Sequence, residues 1–182
     1  MKLDRTFRFR GNRNYLHSAS VINDLLSLRG ENVRNIDLKF HRKTLHQVSY
    51  TDESQSAVDP VAEWSDAQGK LYLVEREERI SEREPYDEQG LVGLLEADGK
   101  TVRIPAQTPN FTRADAIVAA FKHLLQTVYP DVERKYVFVR IRMDYCPSGA
   151  MEIRYVRDIG AFFQGDISED RKAVGQIFFG VW

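Results

Sequence analysis

Two stretches of the chain align with each other: TFRFRGNRNYLHSASVI at 6–22 and TVRIPAQTPNFTRADAI at 101–117. At a constant offset of 95 residues, apolar positions in the first strand match and four positions are identical. The identical pairs are Thr6 and Thr101, Arg8 and Arg103, Ala19 and Ala114, and Ile22 and Ile117. Because self-similarity at a fixed spacing indicates a repeated supersecondary unit, the sequence predicts an internal duplication.

The first stretch opens a predicted strand and a predicted helix. Residues 6–9 alternate polar and apolar side chains, which is the period of a half-buried strand. Apolar residues then recur at helical spacing over 21–28, with Ser18 or Ser20 as the N-cap and Gly30 as the stop. Two strands are predicted to follow, at 36–41 and 46–51.

The second stretch opens the longer predicted helix. Thr112 and Asp115 have the spacing of a capping box, and apolar residues recur at helical spacing from Ile117 to Val128. Pro130 is expected to end the helix because it cannot continue one. Four strands are predicted after it, at 135–145, 150–156, 161–166 and 173–182.

The segment between the two stretches is more polar. Residues 52–69 are predicted to form a loop in which Trp64 packs inward. The charged run 75–88 is typical of solvated strand ends and loops, and a mobile lid is the alternative interpretation. Strands are also predicted at 70–75 and 90–96, and a hairpin turn at Asp98-Gly99.

The predicted fold class is α+β, with an antiparallel sheet wrapped around two main helices. A helix with an apolar face followed by antiparallel strands buries that face when the sheet curls around it. This order of elements, given twice, resembles the double hotdog fold, in which two hotdog units share one chain. The expected repeats are 1–96 and 97–182, forming one compact domain with a ligand crevice where they meet. A ferredoxin-like sandwich and a helix-grip sheet are the competing architectures.

Composition restricts the function. The chain has 182 residues and a formal net charge of -1 with both signs interspersed, so we expect no nucleic-acid or anionic membrane partner. Cys146 is the single cysteine, which favours a reducing compartment and makes a metal site improbable. No stretch has the roughly 18 apolar residues of a membrane span. We therefore expect a cytoplasmic protein with no membrane association.

The hotdog resemblance implies acyl thioester chemistry, because that superfamily includes thioesterases and hydroxyacyl dehydratases. Its enzymes commonly use a histidine just before or on the central helix, together with a carboxylate from a helix. The resemblance thus implies His17 as general base and Asp24 or Asp115 as the acid partner. The structural alternatives are a loop histidine for His17, a solvated helix face for Asp24 and the capping box for Asp115.

Three residues beside the first helix are candidates for substrate binding. Arg10 and Arg13 form a guanidinium pair that suits a phosphate or a carboxylate, and Tyr15 lies next to them. Gly11 gives the backbone room for a close approach. In the competing interpretation, Arg8 and Arg10 simply occupy the exposed side of a strand.

Two functional hypotheses follow. The first is a thioesterase or hydroxyacyl dehydratase type of enzyme, or a binder, for a small hydrophobic acyl group carried by coenzyme A or an acyl carrier. The second is a non-catalytic α+β scaffold or ligand-binding protein that forms a homo-oligomer or binds a partner, since Phe178, Phe179, Val181 and Trp182 place apolar groups on both faces of the last strand. No metal or cofactor is expected, because His41, His46 and His123 share neither a helix face nor a His-x-His spacing.

Overall fold

The computed structural model describes residues 2–30, 32–54, 58–130 and 133–181. The chain forms two compact units, Met1–Asp87 and Glu88–Trp182. Each unit is α+β, with one long helix and one antiparallel sheet, as the sequence predicts. The expected repeat boundary after residue 96 stays a prediction.

In its described residues, the first unit contains one long helix and seven strands. Its elements are β1 (Lys2–Arg5), β2 (Phe9–Arg10), α1 (Ser18–Arg29), β3 (Ile36–Phe40), β4 (His46–Thr51), β5 (Ala62–Asp66), β6 (Gly69–Arg79) and β7 (Arg83–Glu84). The sheet has the order β1-β4-β6-β5-β3, with every neighbouring pair antiparallel. Strands β2 and β7 form a separate short parallel pair.

The first predicted strand is displaced in the structure. Residues 6–8 lie between β1 and β2 and belong to neither. The alternation does reflect burial, since Phe7 is buried. The backbone of Phe7, however, bonds to a side chain instead of a neighbouring strand. Its N–H donates to Gln47 Oε1 (2.7 Å), and its carbonyl accepts from Gln47 Nε2 (3.0 Å). The prediction of a strand over 6–9 is therefore wrong, although the buried face is right.

The predicted loop over 52–69 is also wrong in its second half, where β5 forms. Trp64 is fully buried in this strand, and its indole N–H donates to Asp66 Oδ2 (2.5 Å). Trp64 was expected to pack inward and does so. Asp66 then turns the chain into β6, because its Oδ1 accepts from the backbone N–H groups of Gln68 and Gly69. This turn lies within the longer loop predicted from the sequence.

The part of the second unit that the structure describes contains a short helix, a long helix and six strands. Its elements are α2 (Glu88–Val92), β8 (Glu96–Asp98), β9 (Thr101–Ile104), α3 (Arg113–Val128), β10 (Tyr136–Met143), β11 (Met151–Ile159), β12 (Phe162–Glu169) and β13 (Lys172–Val181). The sheet has the order β10-β13-β12-β11-β9-β8, again antiparallel throughout. The hairpin at Asp98-Gly99 and the four late strands are confirmed, while Trp182 lies outside the described residues.

The predicted strand over 90–96 is wrong, because α2 occupies its first half. Leu91, Leu94 and Leu95 recur at helical spacing, and Leu91 is fully buried. Short apolar runs are ambiguous between strand and helix. A tertiary contact accompanies the helix, since Lys122 Nζ on α3 donates to Glu88 Oε1 (2.9 Å) at its first turn.

The two units place equivalent strands at equivalent sheet positions with one exchange. In the second unit, the four strands after the long helix follow the leading strand in the order second, third, fourth, first. In the first unit, the order is second, fourth, third, first, because β6 inserts between β4 and β5. The β11–β12 connection is consequently a tight hairpin, whereas β4 and β5 are joined by residues 52–61.

Candidate functional site

The start of α1 is covered by a segment from the far end of the same unit. Strand β7 pairs with β2, so that Phe9 N–H donates to the Glu82 carbonyl (3.0 Å) and Gly11 N–H donates to the Glu84 carbonyl (2.9 Å). Gly11 adopts φ +52, a left-handed conformation that favours glycine. We call residues 81–87 the strap, because they lie across the loop that leads into α1.

Arg83 fastens the strap to this loop. Its guanidinium donates to the carbonyls of Gly11 and Arg13 (2.8 Å to the latter) and to Asn14 Oδ1 (2.7 Å). The same guanidinium lies over the ring of Phe9 at 5.4 Å. Because carbonyl groups in a loop lack helix or sheet partners, one fork of five N–H donors satisfies several of them at once.

Tyr86 of the strap is the centre of the candidate site. The guanidinium groups of Arg10 and Arg13 lie 5.3 Å and 5.2 Å from its ring centroid, and the imidazole of His17 lies 5.6 Å from it. Arg10 Nε also donates to Glu84 Oε1 (3.0 Å). The structure thus brings three of the predicted site residues together around one aromatic ring.

His17 is the N-cap residue of α1, with φ -81 and ψ 132. It is 5% exposed, and its carbonyl accepts from the Ser20 and Val21 N–H groups. The predicted caps, Ser18 and Ser20, are instead the first and third helical residues. The N-cap prediction is wrong because His17 already has the extended backbone that starts a helix without a side-chain cap.

Tyr15 faces a different loop. Lys43 Nζ lies 4.7 Å from the centroid of its ring, and the neighbouring Leu16 N–H donates to the Thr44 carbonyl (2.9 Å). These contacts hold residues 15–16 against the β3–β4 turn. Tyr15 is therefore close in sequence to the residues around Tyr86, but it contacts the turn between β3 and β4.

Asp24 lies in the middle of α1 and is engaged by two side chains. Its carboxylate forms an ion pair with Arg5, whose Nε donates at 2.7 Å, and it accepts from the Tyr50 hydroxyl at 2.7 Å. Burial raises the pKa of Tyr50, and the charge of Asp24 raises it further. The hydrogen bond from Arg5 to Asp24 raises the pKa of the guanidinium. These contacts favour a role for Asp24 in joining α1 to β1 and β4.

Asp115 belongs to the second unit, where it completes the predicted capping box of α3. Its N–H donates to Thr112 Oγ1 (3.1 Å), and its Oδ2 accepts from the Thr112 N–H (3.0 Å). The capping box is confirmed. Asp115 is buried, so its carboxylate serves the helix terminus.

The segment that covers His17 was not identified from the sequence as part of the site. The charged run 75–88 was interpreted as a solvated loop, and it in fact supplies Arg83, Glu84 and Tyr86. The only available signal was the aromatic Tyr86 within a run of charges. The contact joins residues some 70 positions apart, so no local pattern reports it.

Three further features concern metal sites, cavities and membrane helices. Within the described residues, no group of three His, Cys, Asp or Glu side chains is arranged to hold a metal ion. A surface cavity of about 350 Å³ lies in the second unit, away from the predicted site residues. Its lining includes Leu94, Arg103, Ile104, Met151, Glu152 and Arg171. No helix among the described residues is long and apolar enough to cross a membrane.

Comparison with known proteins identifies the fold. No protein-family model matches the sequence, and no curated protein matches it as a relative. Among solved structures, an inactive mutant of the CurK dehydratase matches with a TM-score of 0.50 at 8% identity, over 92% of this chain and 82% of that one. A putative thioesterase II from Thermobifida fusca matches with a TM-score of 0.47 at 9% identity, over 94% and 88%. A putative oleoyl thioesterase from Lactobacillus plantarum matches with 0.47 at 12%, over 100% and 96%.

At these identities the likeness concerns the fold alone. Together with the two helix-and-sheet units, the match with a TM-score of 0.50 gives the chain the double hotdog fold that the duplicated sequence pattern indicates. The predicted α+β class is confirmed with it.

Proposed function

We propose that this double hotdog chain binds an acyl thioester at the start of α1 and acts on its acyl group. The observation that carries the proposal is the cluster around Tyr86, in which the imidazole of His17, the N-cap residue of α1, and two guanidinium groups contact one aromatic ring. A helix N-terminus polarises a carbonyl oxygen through its free N–H groups, and guanidinium groups suit the phosphates of coenzyme A or of a carrier-bound arm. The acyl group would be small and hydrophobic.

The roles proposed for the individual residues follow from this placement. His17 would orient the carbonyl or act as general base, and Arg13, with Arg10, would anchor the anionic part of the substrate. Tyr15 would border the acyl carrier on the side of Lys43. Because Asp24 is bound by Arg5 and Tyr50, an acid role for it requires those contacts to loosen.

Turnover by matched histidine variants tests the proposal. A panel of short acyl-CoA thioesters would be incubated with the wild-type protein, His17→Gln and, as the control, His123→Gln on α3. We expect His17→Gln to lower kcat on the order of 100-fold, because general base catalysis contributes at least that much. His123→Gln should leave kcat unchanged. Equal rates for the wild type and His17→Gln would remove His17 from the mechanism.

The products separate the two reaction types within the proposal. A thioesterase releases a free thiol, which a disulfide dye detects. A hydroxyacyl dehydratase leaves the thioester intact and forms a conjugated enoyl group, which absorbs in the ultraviolet. A protein that binds coenzyme A thioesters without either product would be a binder, and binding would be measured by calorimetry.

A second candidate function is a non-catalytic scaffold that self-associates. Apolar side chains are exposed at one end of the second unit, where Phe162 is 46% exposed and Ile159 and Val181 are also exposed. Exposed apolar groups of this kind favour contact with another protein surface. Light scattering of Phe162→Gln and of a chain lacking its final four residues would test this. An unchanged mass in both variants, with a folded spectrum, would dismiss an interface there.

A further inference from the structure

A histidine–glutamate pair lies in the first unit and shares no residue with the cluster around Tyr86. His46 begins β4, and its Nδ1 lies 3.0 Å from Oε1 of Glu75 on β6. At this distance a lone pair on Nδ1 would repel the carboxylate, so the neutral imidazole is favoured with its proton on Nδ1, facing Glu75. The remaining ring nitrogen, Nε2, then carries the lone pair that a base needs.

The carboxylate of Glu75 is fixed on its other side. Its Oε2 accepts from Thr44 Oγ1 at 2.6 Å and from the Arg42 guanidinium at 2.5 Å. Thr44 is buried, and its hydroxyl oxygen also accepts the His46 N–H at 3.0 Å. Burial raises the pKa of Glu75, but the hydrogen bonds from Thr44 and Arg42 prevail and lower it. Glu75 is thus held as an anion with Oε1 directed at the imidazole.

His46 is accessible where His17 is not. Its side chain is 31% exposed, whereas His17 is 5% exposed beneath Tyr86. A group that takes a proton from water must meet that water. With a partly exposed side chain and the lone pair on Nε2, His46 meets the requirements of a general base.

Two contacts place His46 near the start of α1. At one end, the Leu16 N–H donates to the Thr44 carbonyl; at the other, Asp24 accepts from the Tyr50 hydroxyl. Leu16 precedes Asp24 in the sequence, and their partners Thr44 and Tyr50 follow in the same order. The chain therefore runs in the same direction through α1 and β4. His46, two residues after Thr44, is the first residue of β4. It therefore lies at the end of that strand that is nearer to the first turn of α1.

We propose that His46 is a general base for hydrolysis of an ester or thioester held at the start of α1, with Glu75 as its positioning residue. The inference rests on the proposed function for the acyl class of its substrate. In the step, the water oxygen bonds to the acyl carbon while the water proton passes to His46 Nε2. When the tetrahedral intermediate collapses, the carbon–sulfur bond breaks, and the leaving thiolate takes the proton back from the imidazolium. The products are the free acid and the thiol, and the imidazole is restored.

The experiment compares variants on two probes, butyryl-CoA and 4-nitrophenyl butyrate. His46→Gln keeps a donor for Glu75 and removes the base, so we expect kcat to fall on the order of 100-fold with KM unchanged. The matched control is His41→Gln, because His41 is also paired with a glutamate, Glu63, and is 29% exposed. His41 faces its glutamate with Nε2 (3.3 Å from Glu63 Oε1) instead of Nδ1, and His41→Gln should leave kcat unchanged.

A spectroscopic measurement tests the positioning role of Glu75 without any substrate. The ¹⁵N spectrum of the His46 ring should show the proton on Nδ1 in the wild type and a mixture of tautomers in Glu75→Gln. The same variant should lower kcat about tenfold while leaving KM in place. An unchanged tautomer and an unchanged kcat in Glu75→Gln would overturn the role of Glu75.

The outcomes separate this inference from the proposed function. Loss of turnover in His46→Gln alone supports the inference and rejects His17 as the base. Turnover that His17→Gln abolishes and His46→Gln leaves intact overturns the inference while the proposed function stands. A wild-type protein that leaves both probes intact overturns the inference as well, and binding of butyryl-CoA in the same sample would still support a binder.

Discussion

Asp24 joins three elements of the first unit through one carboxylate. Arg5 on β1 and Tyr50 on β4 both donate to it, and Asp24 itself lies on α1. Hydrogen bonds to a charged, partly buried group contribute about 1.5–3 kcal/mol each. At the residue scale, a side chain that the sequence offers as a catalytic acid is therefore engaged in holding the helix to the sheet.

Removing the contacts of this carboxylate, by a change at Tyr50 or at Asp24 itself, should destabilise the fold. We expect Tyr50→Phe to lower the free energy of unfolding by about 1.5–3 kcal/mol, because it removes one hydrogen bond to a charged group and leaves the ion pair. Asp24→Asn should cost more, since it leaves the Arg5 guanidinium without its counter-charge. Urea unfolding followed by circular dichroism measures both. An Asp24→Asn protein with unchanged stability and no turnover would instead assign the carboxylate to catalysis.

Arg83 should control access to His17. Arg83→Ala removes the bonds to the Gly11 and Arg13 carbonyls and to Asn14, so we expect the strap to open more readily by about 1–2 kcal/mol. Hydrogen exchange at the Gly11 N–H, which donates to Glu84, should then accelerate on the order of tenfold. Arg79→Ala, four residues upstream in β6, is the control. Equal exchange rates in both variants would contradict a fastening role.

At the residue scale, the sequence predicted some residues of the candidate site but not the strap that covers them. His17 was placed correctly at the start of a helix, because helix starts are encoded by the few residues around them. Tyr86 was missed because its contact with His17 joins two distant segments. The pair of His46 and Glu75 was missed for the same reason, since a metal-type spacing was the only histidine pattern that the sequence allowed us to test.

At the element scale, α3 was the most predictable part of the chain. Its N-terminus is specified locally by the reciprocal bonds of Thr112 and Asp115, and its apolar residues face β9, β10 and β11. Arg113 adds donors to the carbonyls of Pro105 (2.8 Å) and Pro147 (3.3 Å), which ties two loops to the same helix start. The sequence showed the capping box, and only the structure shows the role of Arg113.

The capping box gives a prediction with a matched control. Thr112→Ala removes the side-chain acceptor for the Asp115 N–H, so the free energy of unfolding should fall by about 1 kcal/mol. Thr112→Ser keeps the acceptor and should stay within a few tenths of a kcal/mol of the wild type. Thermal and urea unfolding of the three proteins measure the difference. Equal losses in both variants would show that the methyl group, and not the hydroxyl, stabilises the helix.

Strand and helix assignments failed where the local pattern was short. The run from Leu91 to Leu95 satisfies a strand and a helix equally, and its packing decides for α2. Residues 6–8 alternate as a strand does, yet Gln47 takes the backbone bonds that a neighbouring strand would otherwise make. In both cases, a partner far away in the sequence settled the conformation.

At the scale of the whole molecule, stability should fall in acid because carboxylates in both units have lowered pKa values. The hydrogen bond from Lys70 lowers the pKa of Glu63, while in Glu75 and Glu169 hydrogen bonds prevail over the opposing effect of burial. A carboxylate with a lowered pKa stabilises the folded state above its ordinary value of 4.5, and that contribution is lost as the pH falls through the lowered pKa.

This sign gives a measurable pH dependence. The free energy of unfolding should be level just above pH 5 and should decrease steadily as the pH is lowered from about 4.5. Urea titrations at a series of pH values measure it. Glu169→Gln should flatten the decrease, because it removes one of the titrating carboxylates. The Gly149 N–H and the Tyr145 hydroxyl donate to this carboxylate and favour its anionic form. A free energy that rises in acid would contradict the sign.

The sequence by itself determined that the chain contains one helix-and-sheet unit twice. Hydrophobic periodicity, the capping box and turn residues are local signals that predict the α+β class, and four identities at a fixed offset with a repeated order of elements underlie the hotdog resemblance. The tertiary structure alone decided that β6 inserts between β4 and β5, that the strap covers His17, and that Glu75 lies beside His46. Each of these is a pairing between residues distant in sequence. Such pairings depend on which surfaces meet when the core is buried, and no local pattern encodes that.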